Sequence, residues 1–295
     1  MSTLNIAQID AFSDQAYGGN PCAVIFDADD LTSEQMQAIA LEMNLSETAF
    51  LMKSKIADFR ARYFTPAEEI PLAGHPTISC GYALWKSGLV GKGTFRLQLE
   101  AGTVEVTVDT AIPDKPLISM KQLKPQFLSK HDPARVLPVF GLTPHDLLED
   151  AVIQTVSTGT PMMMIPLRSH DSLRVAAMDF DAYDVLKAEG DFFSPHLFVL
   201  QGISEEATTF ARHFGIPPDT VEDPFTGSAT GSMSAYLWKH GLIEEPRFIA
   251  EQGHWMKRPG RAIVEVIGPR ENIEAVKISG YAVDILRGEI DVPPI

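Results

Sequence analysis

The sequence predicts an α+β fold of two pseudo-symmetric domains, each a curved mixed sheet or barrel around one central helix. Three observations lead there. First, residues 69–89, EIPLAGHPTISCGYALWKSGL, recur as residues 222–242, EDPFTGSATGSMSAYLWKHGL, with ten of 21 positions identical and no gap. Average composition would give roughly one or two such matches. The copies start 153 residues apart, which is the size of a domain and far beyond the period of a solenoid repeat. Second, each copy places a glycine-containing turn directly before a helix. Third, most of the remaining chain reads as short strands bounded by turn residues.

The elements follow in order. Residues 4–12 and 22–26 are strands joined by a turn at Gly18-Gly19-Asn20-Pro21. Thr32 and Gln35 form a capping box that opens a helix with Met36, Ile39, Ala40 and Met43 on its apolar face. Asn44-Leu45-Ser46-Glu47 ends that helix, and residues 48–52 and 59–64 are the next strands. A loop with Pro66 and Pro71 leads to the Gly74-His75-Pro76 turn and a helix over about 76–87, with Pro76 in its first turn and Gly88 as its C-terminal cap. Residues 95–99 and 103–108 form a hairpin about Ala101-Gly102.

The second half repeats this plan loosely. Gly159-Thr160-Pro161-Met162 echoes Gly19-Asn20-Pro21-Cys22, residues 181–189 are helical, and 197–201 form a strand. After the second repeat copy, Glu251-Gln252-Gly253 parallels Glu100-Ala101-Gly102, with strands near 261–266 and 275–279. The expected domains are 1–118 and 119–283, with a final strand in 284–295 returning to the first.

At 45% hydrophobic and 21% charged, the composition is that of a globular protein. A net charge of −15 argues against a nucleic-acid or anionic-membrane partner. It leaves room for a small anionic substrate in a locally different pocket. The two cysteines, Cys22 and Cys80, form no C-x-x-C pair, so neither a disulfide framework nor a zinc site is expected. The N-terminus has no basic segment followed by an apolar run, and no stretch is long enough to span a bilayer. A cytoplasmic protein is expected.

The duplicated turns carry the chemistry. A helix N-terminus presents free N–H groups and the positive end of the helix dipole. If the pseudo-twofold brings Gly74-His75 and Gly227-Ser228 together, two such ends converge on one cleft suited to a carboxylate. The acid–base groups beside them are not symmetric. His75 stands where the second copy has Ser228, Asp223 stands where the first has Ile70, and Glu47 loosely matches Ser194-Pro195-His196. Divergence at these points is what specialisation for one asymmetric substrate produces. No histidine pair has metal-ligand spacing, and Gly227-Ser228-Ala229-Thr230-Gly231 fits neither a Walker loop nor a nucleophile elbow.

With these residues in view, the chain resembles the PhzF-like phenazine-biosynthesis family, which has the diaminopimelate epimerase-like fold. The resemblance spans nearly the whole length. It rests on Asp10-Ala11-Phe12, Gly19-Asn20-Pro21-Cys22-Ala23-Val24, Asn44-Leu45-Ser46-Glu47-Thr48-Ala49-Phe50, Phe64-Thr65-Pro66, Gly74-His75-Pro76-Thr77 and Glu222-Asp223-Pro224-Phe225-Thr226-Gly227-Ser228-Ala229. It implies an isomerase without metal or organic cofactor, a homodimer, and a site between the two domains. Glu47 would shuttle a proton between carbons of a small carboxylate-bearing metabolite, assisted by His75 and Asp223. Gly74, Gly227, Ser228 and Asn20 are the candidate substrate-binding residues. The epimerases and racemases of this fold use two facing thiols just before the two glycine turns. This chain has Ala73 and, near the second turn, Phe225 and Thr226. The missing thiols count against an amino-acid epimerase or racemase, which stands as one alternative reading beside a catalytically silent binding protein.

Overall fold

The computed structural model describes residues 2–215 and 219–294. The first half runs β1 (Thr3–Ala11), β2 (Asn20–Ile25), α1 (Ser33–Met43), β3 (Glu47–Met52), β4 (Phe59–Phe64), β5 (Glu69–Ile70), α2 (Gly74–Lys86), β6 (Gly93–Leu99), β7 (Gly102–Asp109) and β8 (Leu117–Lys121). The second runs β9 (Gln126–His131), α3 (Pro133–Val136), β10 (Ile153–Ser157), β11 (Pro161–Pro166), α4 (His170–Val175), α5 (Phe180–Ala188), β12 (Ser194–Val199), β13 (Thr209–Phe214), β14 (Glu222–Asp223), α6 (Gly227–Lys239), β15 (Arg247–Gln252), β16 (Gly260–Ile267), β17 (Ala275–Gly280) and β18 (Ala282–Asp291).

The duplication extends to strand order and sense. In the first half β1–β2 is antiparallel, β2–β3 parallel, β3–β4 antiparallel, β4–β6 parallel, and β6–β7 and β7–β8 antiparallel. The second half repeats the same sequence of senses through β10, β11, β12, β13, β15, β16 and β17. An antiparallel β8–β17 ladder joins the halves. β18 returns to pair with β1 from Thr3↔Asp291 to Ala11↔Ala282, and β9 pairs with β10.

Side chains repeat as well. Arg62 grips Glu69 with its Nε 2.7 Å from Oε1 and stands over the Phe64 ring. Arg212 grips Glu222 with its Nε 2.9 Å from Oε1 and stands over the Phe214 ring. Both pairs brace the short strand that precedes a central helix.

The central helices are buried on all sides over Gly74–Leu84 and Gly227–Leu237, which explains their small residues. A Cβ at Gly81 would lie 2.7 Å from Ile118 Cγ2 of the surrounding sheet. Three buried hydroxyls in these helices return to the preceding turn: Thr77 Oγ1 to Ala73 O at 2.7 Å, Thr230 Oγ1 to Thr226 O at 2.9 Å and Ser234 Oγ to Thr230 O at 2.6 Å. This removes the cost of leaving them unpaired. α1 packs outside the first sheet, with Met36, Ile39 and Ala40 against Ile25, Phe50 and Phe64. The Thr32–Gln35 capping box is formed.

Three expectations shift. The first central helix begins at Gly74 rather than near Pro76, so the glycine turn belongs to its first turn. The strand expected over 197–201 occupies Ser194–Val199, because Pro195 sits in an otherwise β-bonded segment whose partner is β11. The second hairpin does not copy the first. Gln252 pairs with Gly260, so Gly253 opens a long loop where the first half has the two residues between Leu99 and Gly102.

Candidate active site

The two central helices meet end to end. A Cβ on Gly74 would fall 2.6 Å from Gly227 Cα and 2.7 Å from Ser228 N, so only glycine permits this approach. Phe12, held at φ 62°, stacks on Phe225 at 4.4 Å and lies against Gly227. Ala73 and Thr226 are the N-caps, and no side chain caps either helix. The first-turn N–H groups of both helices therefore converge uncapped. Beside them lies a cavity of about 360 Å³, which Ala73, Thr226, Ser228, Glu47 and Asp223 help to line.

Strand register positions the acid–base groups. Cys22 pairs with Glu47, which puts the carboxyl at the start of β3 beside the first helix. His213 pairs with Asp223, which puts that carboxylate on β14 just before the second. His75 follows Gly74 and is 2% exposed. Its Nε2 stands 3.1 Å from Glu47 Oε2, and neither atom has a well-aligned hydrogen bond. Asn20 is the hub behind them. Its Nδ2 donates to Asp223 Oδ1 at 2.7 Å and Phe225 O at 2.8 Å, and lies 3.0 Å from His75 Nδ1. Two acceptors fix the amide orientation, so His75 Nδ1 presents its lone pair and the ring proton resides on Nε2, facing Glu47. Thr226 Oγ1 donates to Asp223 Oδ2. Gln252 donates to Asp223 O at 2.7 Å and accepts from Thr226 N–H at 3.2 Å.

Burial sets the protonation states. It depresses His75 to about 4 against the pull of Asp223, so the ring is neutral near pH 7. It holds the Glu47 carboxyl well above the usual carboxylate range, reinforced by the negative charges of Asp223 and Asp219. A raised carboxyl pKa suits a group that exchanges protons with a ligand.

The structure thus brings Glu47, His75 and Asp223 together, with Gly74, Gly227 and Ser228 at the converging helix ends. Asn20, like Gly74, His75 and Gly227, is not among the residues lining the cavity; it anchors His75 and Asp223 from behind. Sequence reading missed His213 and Asp219 and met Ser194 only as part of a loose match to Glu47; all three line it. Met162 pairs with Ser194 as Cys22 pairs with Glu47, so Ser194 is the topological counterpart of Glu47. Ser194 Oγ lies 2.9 Å from His213 Nε2, and His213 is pushed down to about 4 by burial. The Gly19/Gly159 echo held this register, but only a strand pairing reveals it. Cys22 and Cys80 are fully buried and do not line the cavity. Among the described residues no group of three or more His, Cys, Asp or Glu side chains is placed to hold a metal ion. Among the described residues no helix is long and apolar enough to cross a membrane.

Comparison with known proteins shows an enzyme of the isomerase class. The chain belongs to the PhzC-PhzF family of phenazine biosynthesis-like proteins, whose model matches residues 9–288. It is 32% identical over 286 residues to the uncharacterized isomerase YfhB of Bacillus subtilis, covering 96% of this chain and 97% of that protein. It is also 32% identical over 284 residues to the trans-2,3-dihydro-3-hydroxyanthranilate isomerase of Pseudomonas aeruginosa, covering 95% and 96%. The crystal structure of a Bacillus anthracis phenazine biosynthesis protein of the PhzF family superposes with a TM-score of 0.88 at 31% identity, covering 99% of this chain and all of that one. A hydroxyproline epimerase from Agrobacterium vitis shares the fold at a TM-score of 0.66, with 11% identity and 98% and 92% coverage.

Proposed function

We propose that this protein moves a proton between carbons of a small carboxylate-bearing substrate, with Glu47 as the single base and its conjugate acid. The observation that carries the reading is the buried Glu47 carboxyl, raised in pKa and facing a neutral His75 at the mouth of two uncapped helices. The substrate carboxylate sits at the first-turn N–H groups of α2 and α6 with the Ser228 hydroxyl, where the helix dipoles favour an anion. Glu47 takes a proton from a carbon whose developing charge spreads into the conjugated carboxylate. The His75 Nε2–H and the helix-end donors hold that charge in a low-dielectric site, where such donors are most effective. Glu47 then returns the proton to another carbon. Asp223, fixed by Asn20 and Thr226, orients the substrate's polar substituents. One base serving both steps implies transfer on one face of the substrate.

The N-caps Ala73 and Thr226 support this reading over a two-thiol epimerase, because neither carries a sulfur. The relative named as a trans-2,3-dihydro-3-hydroxyanthranilate isomerase supports a cyclic, unsaturated carboxylate as the substrate.

The test is proton NMR in heavy water with wild type and Glu47→Gln, over cyclic and unsaturated carboxylic acids including trans-2,3-dihydro-3-hydroxyanthranilate. Wild type should exchange or isomerise at least one of them. Glu47→Gln should lose on the order of 10³-fold in rate while still binding. Equal exchange by the two proteins would refute the role of Glu47.

A further inference from the structure

The second hairpin uses its extra residues to reach across the molecule. Gln252 pairs with Gly260, so residues 253–259 project where the first half closes between Leu99 and Gly102. The loop is seated beside Asp223. A Cβ on Gly253 would collide with Pro224 O, and Gln252 Nε2 donates to Asp223 O at 2.7 Å. Its far end carries Arg258, whose guanidinium crosses to the first half. There Nε donates to Gly19 O at 3.0 Å, and Nη2 donates to Gly18 O at 2.9 Å and to Asp10 Oδ1 at 2.7 Å. The next residue adds a further bond, because Pro259 O accepts from the Gly19 N–H at 2.9 Å. Asp10 is 1% exposed, and its other carboxylate oxygen accepts from the Tyr17 N–H at 2.7 Å.

The gripped turn is the one that leads into Asn20. Gly19 has φ 55°, and a Cβ there would collide with Ala11 O, so the position is restricted to glycine. Two successive glycines have great backbone freedom, and no side chain of their own sets where Asn20 begins. Arg258 and Pro259 supply that setting. They hold the C=O and the N–H of Gly19, and this C=O belongs to the peptide that bears the Asn20 nitrogen. Asn20 must bring its single Nδ2 to Asp223, Phe225 and His75 at 2.7, 2.8 and 3.0 Å. A shift of the turn would move all three contacts together.

We propose that Arg258 is a positioning residue for the proton-transfer site. By clamping the Gly19–Asn20 peptide it fixes Asn20, and through Asn20 it fixes the Nε2–H tautomer of His75 and the aim of Asp223. The inference rests on the proton-transfer reading above for its kinetic consequence, and on the geometry alone for the state of His75. Arginine suits the task because its rigid planar fork serves several acceptors at once, whereas a lysine ammonium is a point charge on a flexible stem. A lysine here would neutralise Asp10 without reproducing the fork.

The experiment compares wild type, Arg258→Lys, the double variant Asp10→Asn/Arg258→Met and, as control, Arg261→Gln, whose ion pair with Glu206 is exposed. The double variant removes the clamp without leaving the Asp10 charge buried and unpaired. Proton–nitrogen NMR of the imidazoles, with His75 assigned through His75→Asn, reads the tautomer. Deuterium exchange over the carboxylates used above reads kcat and KM, and thermal unfolding reads the fold. In wild type, His75 Nδ1 should have the shift of an unprotonated nitrogen and Nε2 that of a protonated one. In both clamp variants the two shifts should converge. Their kcat should fall on the order of tenfold or more while KM stays within about threefold. Arg261→Gln should match wild type in every readout. The two clamp variants challenge folding in different ways, so either one that folds decides. A folded clamp variant with wild-type His75 shifts overturns the proposal, and so does one with wild-type kcat. If wild type exchanges no carboxylate but the shifts converge in the variants, the isomerase reading fails and the clamp stands. If wild type exchanges and the variants keep its shifts and its rate, this inference alone fails.

Discussion

The end-to-end contact of the two central helices can be tested with one methyl group. In Gly74→Ala the new Cβ would fall 2.6 Å from Gly227 Cα, 2.7 Å from Gly227 C and 2.7 Å from Ser228 N, where ordinary contacts lie at 3.4–4 Å. All three neighbours are backbone atoms, so no side chain can rotate away. The helix ends must part by about 1 Å, and Glu47 and His75 lie on one side of that joint with Asp223 on the other. Overpacking of this kind costs roughly 1–3 kcal/mol. A displacement of about 1 Å within a catalytic group set costs on the order of 10²-fold in rate. Gly91→Ala is the control, because nothing lies within 4 Å of its Cβ. The assay is deuterium exchange on whichever carboxylate proves active, with thermal unfolding in parallel. Gly74→Ala should lose both rate and several degrees of Tm, and Gly91→Ala neither. A Gly74→Ala protein within twofold of wild-type kcat/KM and with unchanged Tm would refute the argument that this joint sets the site geometry.

Two further predictions follow from burial. His75 has its folded pKa depressed to about 4 from 6.5, so the unfolded chain binds the proton first. Its stabilising contribution is fully present above pH 6.5 and is lost as pH falls through 4, by about 3 kcal/mol at 1.36 kcal/mol per unit. Urea unfolding of His75→Asn should therefore show a shallower loss of stability between pH 7 and pH 4 than wild type, and identical slopes would contradict the buried neutral ring. Burial also raises Cys80 to about 12 and Cys22 well above 9.0. Both thiols should resist alkylation at pH 8 by on the order of 10³-fold relative to the unfolded chain, and prompt labelling of the native protein would be inconsistent with the packed cores around α2.

Much of the architecture was legible because the duplication left it in the sequence. The repeat copies located both central helices, and Gly74 and Gly227 survived in both because a Cβ would separate the helix ends. The Thr32–Gln35 box located α1 because a cap is a local interaction. Self-comparison also flagged His75/Ser228 and Ile70/Asp223 as points of divergence. It did not reveal that Asn20 is a buried anchor, since its three partners come from residues 75, 223 and 225, far away in the chain. The loose match of Glu47 to residues 194–196 narrowed to Ser194 only through two strand registers. Asp219 was hidden because it lies outside the repeated segment 222–242.

The exchange of end strands has a bearing on how the chain is made. β9 precedes the half whose sheet it extends, so everything from β9 to β17 can assemble as soon as it leaves the ribosome. β1 is synthesised before β2–β17 and must wait for β18, which follows them all, before its free edge is covered. The half that is born first is therefore finished last. A nascent chain stalled short of residue 282 would carry an unpaired edge at β1, the kind of surface that recruits strands from other molecules. Emergence of residues 282–291 is thus the event that covers this edge.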